Sequence, residues 1–109
     1  MRAASLAAAG AAALALSACG GGGSSPPKHH IHLTAFERQG KAVFIANCGG
    51  CHQLADAGTN GGAGPALTSP ATASHVREVL ADGPSFMPAN IVTGAKAAAV
   101  AAYVAAATK

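Results

Sequence analysis

Large side chains are scarce in this chain of 109 residues. Tryptophan is absent, and the aromatic residues are Phe36, Phe44, Phe86 and Tyr103. From Cys19 onward, only eighteen apolar residues are larger than alanine, which makes a marginal core for a chain of this length. The length allows one domain at most and excludes a large enzyme with a deep substrate cleft. We therefore expect something other than side chains to fill part of the interior.

Charged residues are also few. They make up 10% of the chain, with seven Lys and Arg against four Asp and Glu, for a formal net charge of +3. The sequence has no run of Lys or Arg, so nucleic acid is excluded as an expected partner. Fourteen glycines and six prolines interrupt the chain, which excludes a long coiled coil.

The N-terminal residues 1–18 have the pattern of a secretory signal peptide. Arg2 precedes an Ala/Leu-rich stretch, Ala3–Leu16, which is too short for a membrane-spanning helix and lacks the polar face of an ordinary buried one. The stretch ends in Leu16-Ser17-Ala18-Cys19-Gly20, which resembles the lipobox of bacterial lipoproteins. The resemblance implies that Cys19 becomes the lipidated first residue of the mature chain. The alternative is plain secretion, with cleavage near Ala18 and a free Cys19.

Residues 19–33 have the composition of a tether. Four glycines and two serines over Gly20–Ser25 are followed by two prolines, so the segment is flexible first and stiffer later. Near its end, His29, His30 and His32 could bind a metal ion. No carboxylate or thiol lies beside them to complete a site, so we interpret them as a solvated end of the tether.

The sequence Cys48-Gly49-Gly50-Cys51-His52 is the strongest motif. Its Cys-x-x-Cys-His form is typical of c-type haem attachment. Two thiols three positions apart at a helix end lie on the same side of the backbone, where they can form thioethers with two haem vinyl groups. His52 is then placed to give an axial nitrogen to the iron, and the two glycines remove side chains where the backbone is crowded.

A Cys-x-x-Cys pair has other uses, and three remain open. In an exported protein it could form a disulfide or a thioredoxin-like redox pair. A zinc site would need further ligands, for which the tether histidines are the candidates. The number of cysteines agrees with haem, because Cys48 and Cys51 take thioethers, Cys19 takes lipid, and none of the three remains.

Four further motifs flank the attachment motif at the spacing of a known family. They are Gly40-x-x-x-Phe44-x-x-x-Cys48, Gly64-Pro65-Ala66-Leu67, Gly83-Pro84-Ser85-Phe86-Met87-Pro88 and Val100-x-x-Tyr103. With these motifs, residues 34–109 resemble the class I cytochromes c. The resemblance implies an all-α cytochrome c fold, with three to four short helices wrapped around one covalently bound haem c.

The resemblance also implies roles for two loop residues. The carbonyl of Pro65 would accept a hydrogen bond from the second ring nitrogen of His52, which fixes the tautomer and raises its basicity. Met87 would be the sixth iron ligand, and its position between a Gly-Pro turn and Pro88 indicates a loop. His75 is the alternative ligand, and a vacant position is a third possibility. Without tryptophan, no indole can contact a haem propionate.

The same segments predict helices from the residues alone. Thr34-Ala35-Phe36-Glu37 is a capping box, and the first helix carries a stripe at helical spacing: Phe36, Gly40, Val43, Phe44 and Asn47. Thr93 is the expected N-cap of a last helix running from Gly94 to about Thr108, with the stripe Val100, Tyr103, Val104 and Ala107. We predict that these helices cross, with Gly40 facing the slim, alanine-rich last helix and Phe44 near Tyr103.

Between them, Ser74 or Thr72 is expected to cap a short helix that ends at Asp82-Gly83. Its buried face would carry Val76, Val79 and Leu80. Gly58 to Pro65 reads as a glycine-rich loop, and no segment alternates like a strand.

These features predict an electron carrier rather than an enzyme, because a six-coordinate haem leaves no open position for oxygen chemistry. The alternative is a haem-based sensor or catalytic haem protein with an open or weak sixth site. The expected partners are redox proteins: a quinol-oxidising complex or dehydrogenase, and a terminal oxidase or peroxidase. Lipid on Cys19 would hold the protein to the outer face of the cytoplasmic membrane or to the outer membrane.

Overall fold

The computed structural model describes residues 31–109. The predicted signal peptide, Cys19, His29, His30 and most of the tether lie outside these residues. In the described part, three helices and one small antiparallel strand pair follow one another. They are α1 (Ala35–Asn47), β1 (Gln53–Leu54), β2 (Thr59–Asn60), α2 (Ala73–Asp82) and α3 (Gly94–Ala107).

Helix α1 begins at the predicted capping box. The backbone N–H of Glu37 donates to Thr34 Oγ1 at 3.1 Å, and the backbone N–H of Thr34 donates to Glu37 Oε2 at 2.8 Å. The helix ends where the N–H of Cys48 donates to the carbonyl of Phe44 at 2.7 Å. The first attachment cysteine is therefore held by the last turn of a well-capped helix.

Helices α1 and α3 cross as predicted. Gly40 lies directly against the backbone of α3, where a Cβ at this position would overlap the carbonyl group of Ala99. The rings of Phe44 and Tyr103 meet edge to face, with centroids 6.0 Å apart and an interplanar angle of 64°. The close approach explains a glycine inside a helix, which costs about 1 kcal/mol relative to alanine.

The two predicted stripes differ in how far they are buried. On α3, Val100, Tyr103 and Val104 are buried. On α1, Gly40 and Phe44 are buried, whereas Phe36, 45% exposed, and Asn47 are exposed. The buried part of the α1 stripe is therefore its centre, and Asn47 at its end lies on the lining of a cavity.

Helix α2 is capped by Thr72, whose Oγ1 accepts from the backbone N–H of His75 at 3.1 Å, while Ser74 lies inside the helix. It ends at Gly83, which adopts the left-handed conformation (φ 57°) that glycine tolerates best. Of the predicted buried face, Leu80 is buried, whereas Val76 and Val79 are half-buried.

At the start of α3, Thr93 occupies the N-cap position as predicted, but its side chain makes no capping hydrogen bond. The strand pair was not predicted. Gln53 pairs with Asn60 and Leu54 with Thr59, and strands of two residues are too short to show alternation in a sequence. The expected loop from Gly58 to Pro65 therefore contains β2. Among the helices of residues 31–109, none has the length and apolar character needed to span a bilayer.

Candidate haem site

An open cavity of about 330 Å³ lies beside the helix pair, within the size range of small-ligand and cofactor pockets. It collects residues from the end of α1, the attachment motif, the loop after β2, helix α2 and the loop before α3. Its lining is mostly apolar, and no charged side chain is among the described residues that form it: Asn47, Cys48, Cys51, His52, Ala63, Gly64, Pro65, Val79, Pro84, Ser85, Phe86, Met87, Pro88 and Ile91.

The two attachment cysteines both line this cavity as free thiols. Between them the backbone turns tightly, because the N–H groups of Cys51 and His52 both donate to the carbonyl of Cys48, at 3.1 and 2.9 Å. Cys48 is buried and Cys51 is exposed. Burial, and to a lesser extent the neighbouring Cys51, raises the pKa of the Cys48 thiol, so this group stays protonated at neutral pH.

The ring of His52 is oriented by the loop that follows β2. Its Nδ1 lies 2.9 Å from the carbonyl oxygen of Pro65, which is the contact that the family resemblance implies. A carbonyl can only accept a hydrogen bond, so in the neutral imidazole Nδ1 carries the proton. This tautomer leaves a lone pair on Nε2, the nitrogen that a metal ion can bind.

Gly64 gives the ring its space. A Cβ at this position would lie 2.6 Å from Cε1 and 3.0 Å from Nε2 of His52. The backbone N–H of Gly64 donates to the carbonyl of Cys51 at 2.8 Å. The loop is therefore fastened to the attachment motif, with its backbone against one side of the imidazole.

Met87 lines the same cavity from the loop between α2 and α3. Two non-glycine residues with left-handed backbone flank it, Ser85 (φ 57°) and Asn90 (φ 55°), a conformation that is uncommon outside glycine. The N–H of Asn90 donates to the carbonyl of Leu80 at 2.7 Å, which ties the loop to α2. The alternative ligand, His75, is exposed and is not among the residues that line the cavity.

The residues around the cavity fit haem c. Two thiols, one imidazole nitrogen and one thioether are donors that attach a haem and ligate its iron, and an apolar lining suits the porphyrin. Asn47 and Ser85 are polar donors on the lining, whereas no tryptophan is available for the propionates. Residues 31–109 contain no group of three or more His, Cys, Asp or Glu side chains that could hold a separate metal ion.

Three contacts near the site have no signal in the sequence. The hydroxyl of Thr59 donates to the carbonyl of His52 at 2.8 Å. Asp56 accepts from the Tyr103 hydroxyl at 2.5 Å and is paired with Lys41 at 3.2 Å. Each contact joins different segments of the chain, and none follows a periodicity that could have revealed it.

Two comparisons with known proteins gave matches. The family model described as cytochrome c oxidase, cbb3-type, subunit III matches residues 35–104. Among solved structures, the chain is similar to the c-type cytochrome SorU from Sinorhizobium meliloti, with 35% sequence identity and a TM-score of 0.61. The match covers 67% of this chain and 91% of SorU. A comparison with curated proteins gave no match.

The predicted class I family and the cytochrome c fold are thereby confirmed, and that fold consists here of three helices with one short strand pair. Members of the family carry covalently bound haem c, and the two cysteines that attach it are present as Cys48 and Cys51. The family model spans more than half of the chain, so this protein belongs to that family of class I cytochromes c and is a haem protein that carries electrons.

Proposed function

We propose that this protein is a monohaem cytochrome c that passes single electrons between redox proteins outside the cytoplasmic membrane. One observation carries the proposal: Cys48, Cys51, His52 and Met87 all line one cavity. The sequence contains one Cys-x-x-Cys-His motif, which supports a single haem. When bound, that haem supplies a reversible one-electron change at its iron.

The residues of the cavity have separate tasks. Cys48 and Cys51 would form the two thioether bonds, and Nε2 of His52 would bind the iron. Pro65 holds the Nδ1 proton of His52 through the 2.9 Å contact, which orients the ring and raises its basicity. Met87 would be the second protein ligand of the iron, so that no position would stay open for oxygen chemistry. We therefore propose a carrier rather than an enzyme.

The rim of the cavity supports docking through uncharged surface. Phe86 is fully exposed and Ile91 is 39% exposed, and both belong to the cavity lining. A lining without charged side chains predicts electron transfer rates that depend little on ionic strength. The proposed partners are a quinol-oxidising complex or dehydrogenase on one side and a terminal oxidase or peroxidase on the other.

The proposed location follows from the N-terminal sequence. Lipid on Cys19 would anchor the chain to the outer face of the cytoplasmic membrane or to the outer membrane, because each buried CH₂ contributes about 0.8 kcal/mol. Residues 19–33 would then be the tether, with a greatest reach of about 50 Å. The folded domain could thus meet partners at the membrane surface.

Mass spectrometry and spectroscopy of the purified protein test the haem assignment. We expect the mass of one covalent haem and a reduced-minus-oxidised spectrum with a single potentiometric transition. Wild type should bind carbon monoxide slowly and incompletely, whereas Met87→Ala should bind it fast and fully. A chain without covalent haem would contradict the proposal. Fast, full binding by wild type would instead favour a sensor or catalytic haem protein.

Cell fractionation tests the anchor. Cys19→Ser removes the thiol that would carry lipid, so we expect this variant to move from the membrane fraction to the soluble one. Ser17→Ala, beside the cleavage position, is a matched control that should stay with membranes. If the Cys19→Ser variant stays membrane-bound, lipid on Cys19 is not what holds the protein.

A further inference from the structure

We propose that Thr59 is a positioning residue for the axial ligand His52, acting through the backbone of His52. The inference rests on the proposed function, because it concerns how the chain holds its haem ligand. Thr59 lies in β2, seven residues after His52, and belongs neither to the attachment motif nor to the cavity lining. Its side chain contacts the backbone of the attachment segment.

The Thr59 hydroxyl makes two hydrogen bonds at once. It donates to the carbonyl of His52 at 2.8 Å and accepts from the backbone N–H of Leu54 at 3.0 Å. A hydroxyl has one proton to donate, and here that proton goes to the ligand's own carbonyl. The backbone is therefore held both before and after Gln53, which fixes the direction in which the chain continues from His52.

The backbone around Thr59 is also packed against the attachment motif. Its methyl Cγ2 fills the space beside Gly49, where a Cβ would lie 2.5 Å away. Two residues later, a Cβ on Gly61 would lie 2.6 Å from both N and C of Cys51. Residues 59–61, which we term the backing segment, thus lie directly against the backbone that carries the cysteines.

The turn before the backing segment is fastened to the helix pair. Asp56 lies between β1 and β2, where it accepts from the Tyr103 hydroxyl of α3 and pairs with Lys41 of α1. These contacts make a continuous path from the α1–α3 crossing, through the strand pair, to His52. The position of the ligand is therefore set by the rigid part of the molecule.

Loss of the hydroxyl should loosen this path at its last step. Once the carbonyl of His52 is released, its ring is held less firmly against Pro65, and the Nδ1–H hydrogen bond weakens. A weaker bond makes the imidazole less basic, which favours the reduced iron. We therefore expect the reduction potential to rise, although no residue on the cavity lining has changed.

The test uses two substitutions of Thr59 in the holoprotein. Thr59→Val keeps the methyl and the side-chain shape but lacks the hydroxyl, whereas Thr59→Ser keeps the hydroxyl and lacks the methyl. The readouts are the reduction potential and NMR-detected hydrogen exchange at the Cys51 and His52 amides of the reduced protein. For Thr59→Val we expect a raised potential and exchange about five- to tenfold faster at these two amides.

The control readout is exchange at the amides of α3, which should stay at the wild-type rate in both variants. Thr59→Ser should match wild type in potential and in exchange at the attachment motif. The proposal is overturned if Thr59→Val changes neither readout. It is also overturned if Thr59→Ser shifts both readouts as much as Thr59→Val does. Equal acceleration at all amides, including those of α3, would likewise overturn it, because that result indicates a general loss of stability.

If Thr59→Val does not accumulate with haem, Thr59→Ala replaces it, because it differs from Thr59→Ser only by the hydroxyl. Identical values for the Ala and Ser variants would then overturn the positioning role. Wild-type protein without a covalent haem mass would overturn the proposed function and the positioning role together. If wild type carries haem, but a variant without the hydroxyl keeps the wild-type potential and exchange rates, only the positioning role is overturned.

Discussion

The two sides of the molecule are built differently. On the helix side, Phe44, Val100 and Tyr103 are at most 1% exposed, and α1 touches α3 through Gly40. On the cavity side, Phe86 is fully exposed at the rim of an open space of about 330 Å³. A chain with so few large side chains completes one side with them. The other side is left for a group that is not part of the polypeptide.

Glycine shows the same contrast on a smaller scale. Gly40 makes room for the backbone of Ala99, so its absent side chain lets two helices meet. Gly64 makes room for the imidazole of His52, so its absent side chain lets the ring of the proposed haem ligand fit beside the loop. Small residues therefore serve packing on one side and ligand placement on the other.

The largest expected effect breaks the cavity side alone. With Cys48→Ala and Cys51→Ala combined, we expect complete loss of covalent haem, because no thiol remains in the attachment motif to form a thioether. Mass spectrometry of the mature chain measures this directly. In hydrogen exchange, protection should fall first in residues 84–91 and last in α3. A haem mass that survives denaturation in the double variant would contradict the assigned attachment.

The next largest effect breaks the helix side. Gly40→Ala places a methyl group into the carbonyl of Ala99, and overpacking of this kind costs about 1–3 kcal/mol. The gain in helix propensity is about 1 kcal/mol, so we expect a net loss of about 1 kcal/mol, and at most about 2 kcal/mol, in the free energy of unfolding. Denaturant titration of the holoprotein measures it.

Gly62→Ala is the matched control for this substitution, since nothing lies within 4 Å of the added Cβ. It should change stability by less than about 0.5 kcal/mol. Equal stability of the Gly40 and Gly62 variants would show that the α1–α3 contact is looser than its geometry indicates.

A smaller effect sharpens the comparison at the point where the two sides are joined. Tyr103→Phe removes the hydroxyl that donates to Asp56, and a hydrogen bond to a carboxylate contributes about 1.5 kcal/mol or slightly more. Chemical denaturation at neutral pH should show a loss of this size. The haem should remain attached, because Tyr103 is not on the cavity lining.

This hydroxyl also gives a dependence on pH. Burial, then the hydrogen bond to Asp56 and its charge, raises the pKa of Tyr103 well above its ordinary value of 10.0. Above about pH 10 the unfolded chain releases this proton while the folded one keeps it. The free energy of unfolding should therefore be constant below pH 10 as far as Tyr103 is concerned, and should fall above it.

Tyr103→Phe separates this effect from other changes at alkaline pH, because both proteins share the rest of the chain. The stability difference between wild type and Tyr103→Phe should shrink as the pH rises above 10. A difference that stays constant from pH 8 to pH 11 would show that the hydroxyl ionises at its ordinary pKa in the folded protein.

The sequence predicted the parts of this protein that depend on neighbours along the chain. A capping box needs only Thr34 and Glu37, an attachment motif needs only five consecutive residues, and a helix stripe repeats every three to four positions. The roles of the loop residues Pro65 and Met87 came from short motifs that resemble those of a family. The contact of Pro65 with His52 is present in the structure, whereas iron ligation by Met87 and lipidation of Cys19 stay predictions.

Only the tertiary structure decided what depends on residues far apart in the chain. Asp56 contacts Tyr103, which lies 47 positions further along the chain. Thr59 contacts His52 from a pair of two-residue strands, which are too short to show a periodic pattern in the sequence. Phe36 is 45% exposed although it shares a helical stripe with the buried Phe44, a difference that the spacing along the helix does not predict. Local rules fix the elements because their hydrogen bonds are local, whereas the support of the haem ligand arises from contacts that form only after the elements have packed.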